Sequence, residues 1–228
     1  MLRTDIQEML DTIEVETRMT QTATGRSTLR SQVMEAMASV PRHRFVPRYL
    51  RSHAYDNGAL PIGNGQTISQ PFIVALMTDL LDPEPDDVML EVGAGSGYQA
   101  AVLSLLIHKL YSIEIISSLA RDAGDRLKQL GYDNVEIRHG DGYHGWAEHA
   151  PFDGIIVTAA ASHIPSPLKE QLRPGGKLVI PVGLPRSPQE LMVLEKQSDG
   201  NFRSRSALSV AFVPLTGAGQ DQEHGWFS

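Results

Sequence analysis

From Ile73 onward the sequence alternates short, continuously apolar runs with segments of helical periodicity, and this alternation restricts the fold more than any other feature. "VMLEV" (88–92), "KLYSIEI" (109–115), "VEIRH" (135–139), "GIIVTA" (154–159) and "KLVIPV" (177–182) read as strands. Ile73 to Leu81 and Tyr98 to Leu106 read as helices. So does a segment capped by Ser117 or Ser118, with Leu119, Ala123, Leu127 and Leu130 on one face and Gly131 as its stop. Pro167 opens a short helix that "RPGG" (173–176) closes. Strands that are apolar on both faces need cover above and below, so the expected architecture is a doubly wound, mostly parallel α/β sheet. "ELMVLEK" (190–196) and "ALSVAFVPL" (207–215), with no helical pattern between them, add an antiparallel edge pair and make seven strands.

Ahead of this unit, Ile6, Met9, Leu10 and Ile13 fall at helical spacing, "TQTATGRS" breaks the pattern, and Leu29, Val33, Met34 and Met37 mark a second helix that Pro41 ends. Residues 1–57 are therefore expected to be an N-terminal helical extension on a ligand-binding domain of residues 58–228, one globular unit overall. Phe45 to Gln70 is rich in Gly, Pro, Asn and aromatic residues, and an irregular segment of that length points to function. Twenty Lys and Arg against 27 Asp and Glu give a net charge of −7, which argues against nucleic acid as a partner. Arg42, Arg44, Arg48 and Arg51 form a local basic patch, read as a solvated face. No cysteine is present, so thiolate metal sites and a thiol nucleophile are excluded. With no secretory-type start and no apolar stretch of bilayer length, the expectation is a soluble cytoplasmic protein without a membrane partner.

"EVGAGSGYQA" (91–100) supplies the chemistry. In an open parallel sheet, ligands sit beyond the carboxyl ends of the strands, where this loop joins the first strand of the alternation to its helix. A dinucleotide fingerprint needs a third glycine where Tyr98 stands, and a phosphate loop needs Gly-Lys-Ser/Thr, which is missing. The loop instead reads Gly93-x-Gly95-x-Gly97, with Glu91 two residues ahead. Glu114 ends the next strand, where a carboxylate can accept two ribose hydroxyls. Asp141 and Gly142 end the third, placed for an adenine amino group and ring. Each feature alone also fits a tight turn or a polar strand rim; their order and spacing together make a strong signal for a ligand carrying ribose and adenine.

That constellation resembles the class I methyltransferases that use S-adenosyl-L-methionine. The segments "VPRHRFVP" (40–47), "ALPIGNGQTISQP" (59–71), "LEVGAGSGYQAA" (90–101), "GDG" (140–142), "LRPGGKLVIPVG" (172–183) and "FVPLTG" (212–217) are similar to the protein-L-isoaspartate O-methyltransferase family, from about Arg26 to Gly217. The resemblance implies a Rossmann-like methyltransferase fold and methylation of the free α-carboxylate of L-isoaspartyl residues, followed by collapse of the ester to a succinimide. It implies isoaspartyl proteins and peptides as partners, and a mostly monomeric cytosolic enzyme. It also implies Ser69 as the active-site serine and a pocket lined by Gln66, Thr67 and Ile68. Glu91, Gly93, Gly95, Gly97, Glu114, Asp141 and Gly142 would be donor contacts, and Thr216 and Gly217 part of a closing C-terminal segment. A related enzyme acting on another small-molecule or modified-peptide carboxylate is the alternative. The first 25 residues and "SHIP" (162–165) depart from the family pattern.

The chemistry agrees with what the sequence omits. Where amine methyltransferases carry Asn/Asp-Pro-Pro-Tyr/Phe, this chain reads "VTAAASHIP" (157–165). His139, His144 and His149 are spaced by five, which suits neither one helix face nor one strand face, so no metal site is expected. A carboxylate acceptor is already ionised at neutral pH and needs no general base. Ser69 would orient it by a hydrogen bond, unless that serine only caps the helix opening at Pro71.

Overall fold

The computed structural model describes residues 2–184 and 187–218. Three N-terminal helices, α1 (Leu2–Met19), α2 (Gln21–Thr24) and α3 (Ser31–Ser39), precede two 3-10 turns at Arg42–Arg44 and Arg48–His53. A small antiparallel hairpin follows, β1 (Leu60–Gly63) with β2 (Gln66–Ile68), and then α4 (Pro71–Leu81). The alternation runs β3 (Val88–Val92), α5 (Tyr98–Ser104), β4 (Lys109–Glu114), α6 (Ser117–Gln129), β5 (Val135–His139), β6 (Phe152–Val157), α7 (Ser166–Glu170) and β7 (Leu172–Val182). It closes with β8 (Gln189–Lys196) and β9 (Phe202–Val210).

The main sheet has seven strands in the order β5-β4-β3-β6-β7-β8-β9. The first five are mutually parallel, while β8 is antiparallel to both its neighbours. The chain reverses its direction of winding at β3, which has β4 on one side and β6 on the other, so the crevice for a ligand opens above the carboxyl end of β3. The pleat divides the strand side chains between two cores. Leu90, Val92, Ile155, Val157, Leu178 and Ile180 pack against Trp146 and Leu168 on one face. Met89, Ile156 and Val179 pack on the other beneath α4 and α5, in a cluster that takes in Met9 and Ile13 of α1 and Val33 and Met37 of α3. The N-terminal helices thus complete one face of the sheet.

Within α4, Asp79 is 1% exposed and ties the N-terminal segment down: its carboxylate receives Arg26 Nε at 2.6 Å and the Arg30 backbone N–H at 2.9 Å. No helix among the described residues is long and apolar enough to cross a membrane.

Several local expectations need correction. The segment before α4 is not irregular throughout, since it contains the β1–β2 hairpin, whose turn uses Gly63, Asn64 and Gly65, all at positive φ. "RPGG" does not close α7; it lies inside β7, which starts at Leu172 and carries a register irregularity opposite Phe152–Gly154. β9 begins at Phe202, and residues 211–215 have already left the sheet edge. Neither Ser117 nor Ser118 caps α6 with its side chain; the preceding Ile116 N–H is held by Glu114 Oε1 at 2.9 Å. Arg42 is no part of a solvated face, being fully buried, with Nε donating to the Ala54 carbonyl at 2.7 Å and its guanidinium 4.7 Å from the centre of the Tyr98 ring.

Candidate functional site

The glycine loop between β3 and α5 turns across the end of β4. The Gly93 N–H donates to the Ile113 carbonyl at 2.8 Å, and the Gly95 N–H to Glu114 Oε2 at 2.8 Å. With Oε1 accepting from Ile116, one carboxylate fixes both the loop and the start of α6 while keeping lone pairs for a ligand. Gly93 has φ 97°, and a Cβ there would stand 2.5 Å from Thr158 Oγ1, which itself donates to the Gly93 carbonyl at 2.5 Å. Only glycine allows both that backbone conformation and that approach. At Gly142 a Cβ would collide with Val92 Cγ1. Two strand ends therefore present bare backbone.

A cleft opens above this floor, lined by Gln66, Thr67, Gly93, Gly95, Glu114, Gly142 and Thr216. Ile113, Ile115 and Ile116 give it an apolar side. The hairpin forms one wall, with Ile62 Cδ1 3.5 Å from where a Cβ on Gly95 would be. The segment after β9 forms the other, stitched down by Ala160 N–H to the Val213 carbonyl (2.8 Å) and Leu215 N–H to the Ala160 carbonyl (2.7 Å). It ends on Asp141, whose Oδ2 accepts the Ala218 N–H at 2.7 Å and whose Oδ1 accepts the Tyr143 N–H at 2.9 Å.

A second, larger groove of about 700 Å³ lies beside the cleft, and Thr67, Thr158 and Val213 line both. Ser69 lies on this groove and also on a small cavity that reaches the Gly93–Ser96 turn. Its backbone carbonyl is gripped by Arg42 Nη2 at 2.7 Å, and its hydroxyl has no hydrogen-bond partner among the described residues. Gln70, not Ser69, is the cap residue of α4, and no side chain bonds there. The serine hydroxyl is thus left free at the meeting point of two cavities.

The sequence-derived residues separate into those that meet and those that do not. Gln66, Thr67, Gly93, Gly95, Glu114, Gly142 and Thr216 share the cleft, with Ile68 and Ser69 on the adjoining cavity. Glu91 does not reach it. Alternation puts Glu91 on the Met89 face, fully buried, accepting a hydrogen bond from Ser112 Oγ of β4. Burial pushes its carboxyl up to about 8; the Ser112 bond opposes this, and the charge of Glu114 adds to it. Gly97 also turns away, since a Cβ there would meet Leu127 and Ala123 of α6, so it sets helix packing. Asp141 and Gly217 touch each other at the cleft's rim, where a Cβ on Gly217 would strike the Asp141 carboxylate.

Sequence reasoning missed Thr158 and the role of Arg42, and marked the C-terminal wall through Thr216 and Gly217 without Val213 to Leu215. Thr158 could have been found as the first residue past β6; Arg42 carries no such signal, because a buried unpaired cation reads like a surface one. The three histidines are occupied separately. His149 stacks on Tyr111 at 3.8 Å, His139 Nε2 lies 3.1 Å from the Ile115 carbonyl, and His144 lies 3.9 Å from Asp141.

The chain matches the family model described as "Protein-L-isoaspartate(D-aspartate) O-methyltransferase (PCMT)" over residues 14–220. It is 60% identical over 210 residues to a protein named protein-L-isoaspartate O-methyltransferase 2 from Syntrophobacter fumaroxidans, covering 92% of this chain and 85% of that one. Among solved structures it is similar to a protein-L-isoaspartate O-methyltransferase with a TM-score of 0.79 at 26% identity, covering 94% of this chain and 67% of the other. A putative enzyme of the same name from Plasmodium falciparum, solved in complex with S-adenosyl-L-homocysteine, has a TM-score of 0.73 at 24% identity and covers 92% and 97%; that likeness concerns the fold.

Proposed function

A chain matched by that family model from residue 14 to 220 belongs to the protein-L-isoaspartate(D-aspartate) O-methyltransferase family, and from this premise we propose how its own residues serve the reaction. The enzyme transfers a methyl group from S-adenosyl-L-methionine to the free α-carboxylate of L-isoaspartyl residues in damaged proteins and peptides. The cleft fits that donor: bare backbone at Gly93 and Gly142 allows close approach, Glu114 offers lone pairs to ribose hydroxyls, and the isoleucines offer an apolar face to a base. When bound, the donor supplies an electrophilic methyl on a sulfonium. Asp141, at the rim, is assigned the adenine amino group, using lone pairs not taken by Tyr143 and Ala218. Glu91 supports the floor from behind β3 rather than touching the ligand.

The acceptor carboxylate arrives ionised, so no residue needs to remove a proton. What the site supplies is alignment. Thr67 and Thr158 bound both cavities, and Ser69 Oγ donates a hydrogen bond to one carboxylate oxygen, leaving the other directed at the methyl. Positioning of this kind can contribute ~7–11 kcal/mol, because the encounter entropy has already been met by binding. Partial removal of water from the carboxylate by Phe72, Leu208 and Phe212 around the groove adds to it. Collapse of the released ester to a succinimide follows without the enzyme. Absence of cysteine suits a reducing compartment, and we place the enzyme in the cytoplasm as a monomer acting on proteins and peptides.

The observation that carries this reading is the free Ser69 hydroxyl where the groove meets the small cavity under the Gly93–Ser96 turn. Incubation with methyl-labelled donor and matched isoaspartyl and aspartyl peptides should give a base-labile ester on the isoaspartyl peptide alone. Equal labelling of both peptides, or of neither, defeats it.

A further inference from the structure

The groove beside the donor cleft is walled by hydroxyls, amides and apolar side chains, with one exception. Among its described lining residues, Glu16 is the one charged side chain. It comes from the last turns of α1, a helix that otherwise packs on α3 and α4 through Met9 and Ile13. Thr20, one turn further on, lines the same groove.

Glu16 is also held in place. Asn57 Nδ2 donates to Glu16 Oε1 at 3.2 Å, while Asn57 Oδ1 accepts the Phe72 backbone N–H at 3.4 Å. Phe72 lies in the first turn of the helix that follows Ser69 and Gln70, so one amide side chain joins the α1 carboxylate to the segment carrying the proposed acceptor contact. Two other acids of α1 are already engaged: Glu14 pairs with Arg18, and Asp11 accepts from Gln7. Glu16 makes no ion pair with any described residue, and its second oxygen keeps its lone pairs. A half-buried carboxylate, oriented by Asn57 and without an ion-pair partner among the described residues, faces the space a peptide must fill.

We infer that Glu16 is a specificity-determining residue: the groove selects isoaspartyl peptides with a lysine or arginine near the damaged residue and selects against acidic neighbours. The inference rests on the groove being the acceptor site, as proposed above. Attraction for a cation and repulsion of an anion at a partly screened carboxylate each alter binding by a few-fold, on the order of tenfold between the two at low salt. The complementarity is with flanking side chains, since the isoaspartyl carboxylate itself is assigned to Ser69.

The test is a set of isoaspartyl peptides of equal length in which one residue, lysine, glutamine or glutamate, is moved through each flanking position. In wild type, at least one position should give kcat/KM for the lysine peptide about tenfold above the glutamate peptide, expressed in KM and shrinking as salt is raised. Glu16→Gln, which keeps an oxygen for Asn57, should bring that ratio close to one. Glu16→Lys should invert it. A ratio that is flat at every position in wild type, or identical in wild type and Glu16→Gln, overturns the role of Glu16 while leaving the methyltransferase reading intact. No methylation of any peptide by a donor-loaded enzyme overturns both.

Discussion

At the scale of the residue, the site depends on one buried cation. Arg42 is fully enclosed and has no carboxylate within ion-pair distance among the described residues. Burial lowers its pKa, and the neighbouring Tyr98 opposes that shift. Its fork spans two backbone carbonyls, Ala54 and Ser69, a geometry that a lysine ammonium cannot reproduce. The arginine therefore fixes where the Ser69 hydroxyl stands, and the hydroxyl itself is left for substrate. Ser69→Ala should reduce turnover on an isoaspartyl peptide by about 10–100-fold, the cost of one hydrogen bond to a charged group, with donor affinity within about twofold of wild type. Steady-state kinetics beside calorimetric titration of the donor makes the separation. Unchanged turnover would remove the serine from the reaction.

At the scale of the element, the central strands are legible as short apolar runs between breakers, and β5 by the alternation of Val135 and Ile137 with polar residues; β3 and β5 have the bounds their sequences suggest. The hairpin was hidden because its two strands are only four and three residues long and half exposed, so neither alternation nor apolar content marks them. The start of β7 is bulged and contains Pro and Gly, so in sequence it looks like a turn. In the site, the glycines and acids announced themselves by position, but which way Glu91 faces depended on register, and Gly97 could not be told from its neighbours before α6 was seen packing on it. The segment after β9 offers its own test. Gly217 has φ 136° and abuts the Asp141 carboxylate, so Gly217→Ala strains the backbone and drives the segment off its anchor. Donor affinity should fall by about fivefold or more in calorimetric titration; an unchanged value would show that this segment does not retain the donor.

At the scale of the whole molecule, one proton couples the site to stability. The Glu91 carboxyl, pushed up to about 8 in the fold, stays protonated where an unfolded chain would already have ionised it. Between about pH 5 and 8 folding therefore takes up a proton, and stability falls as pH rises, with a slope of up to ~1.4 kcal/mol per pH unit from this group. Glu91→Gln has nothing to ionise, so urea unfolding should show its stability gaining on wild type from pH 5 to 8 and holding level above. Parallel pH profiles for the two proteins would contradict a neutral Glu91. The two cavities that share Thr67, Thr158 and Val213 have a kinetic counterpart as well. Because the two linings have only that partition in common, a methylated chain can depart while the spent nucleoside stays behind, and either ligand can enter first. Initial velocities measured against both should then fit random rather than compulsory addition.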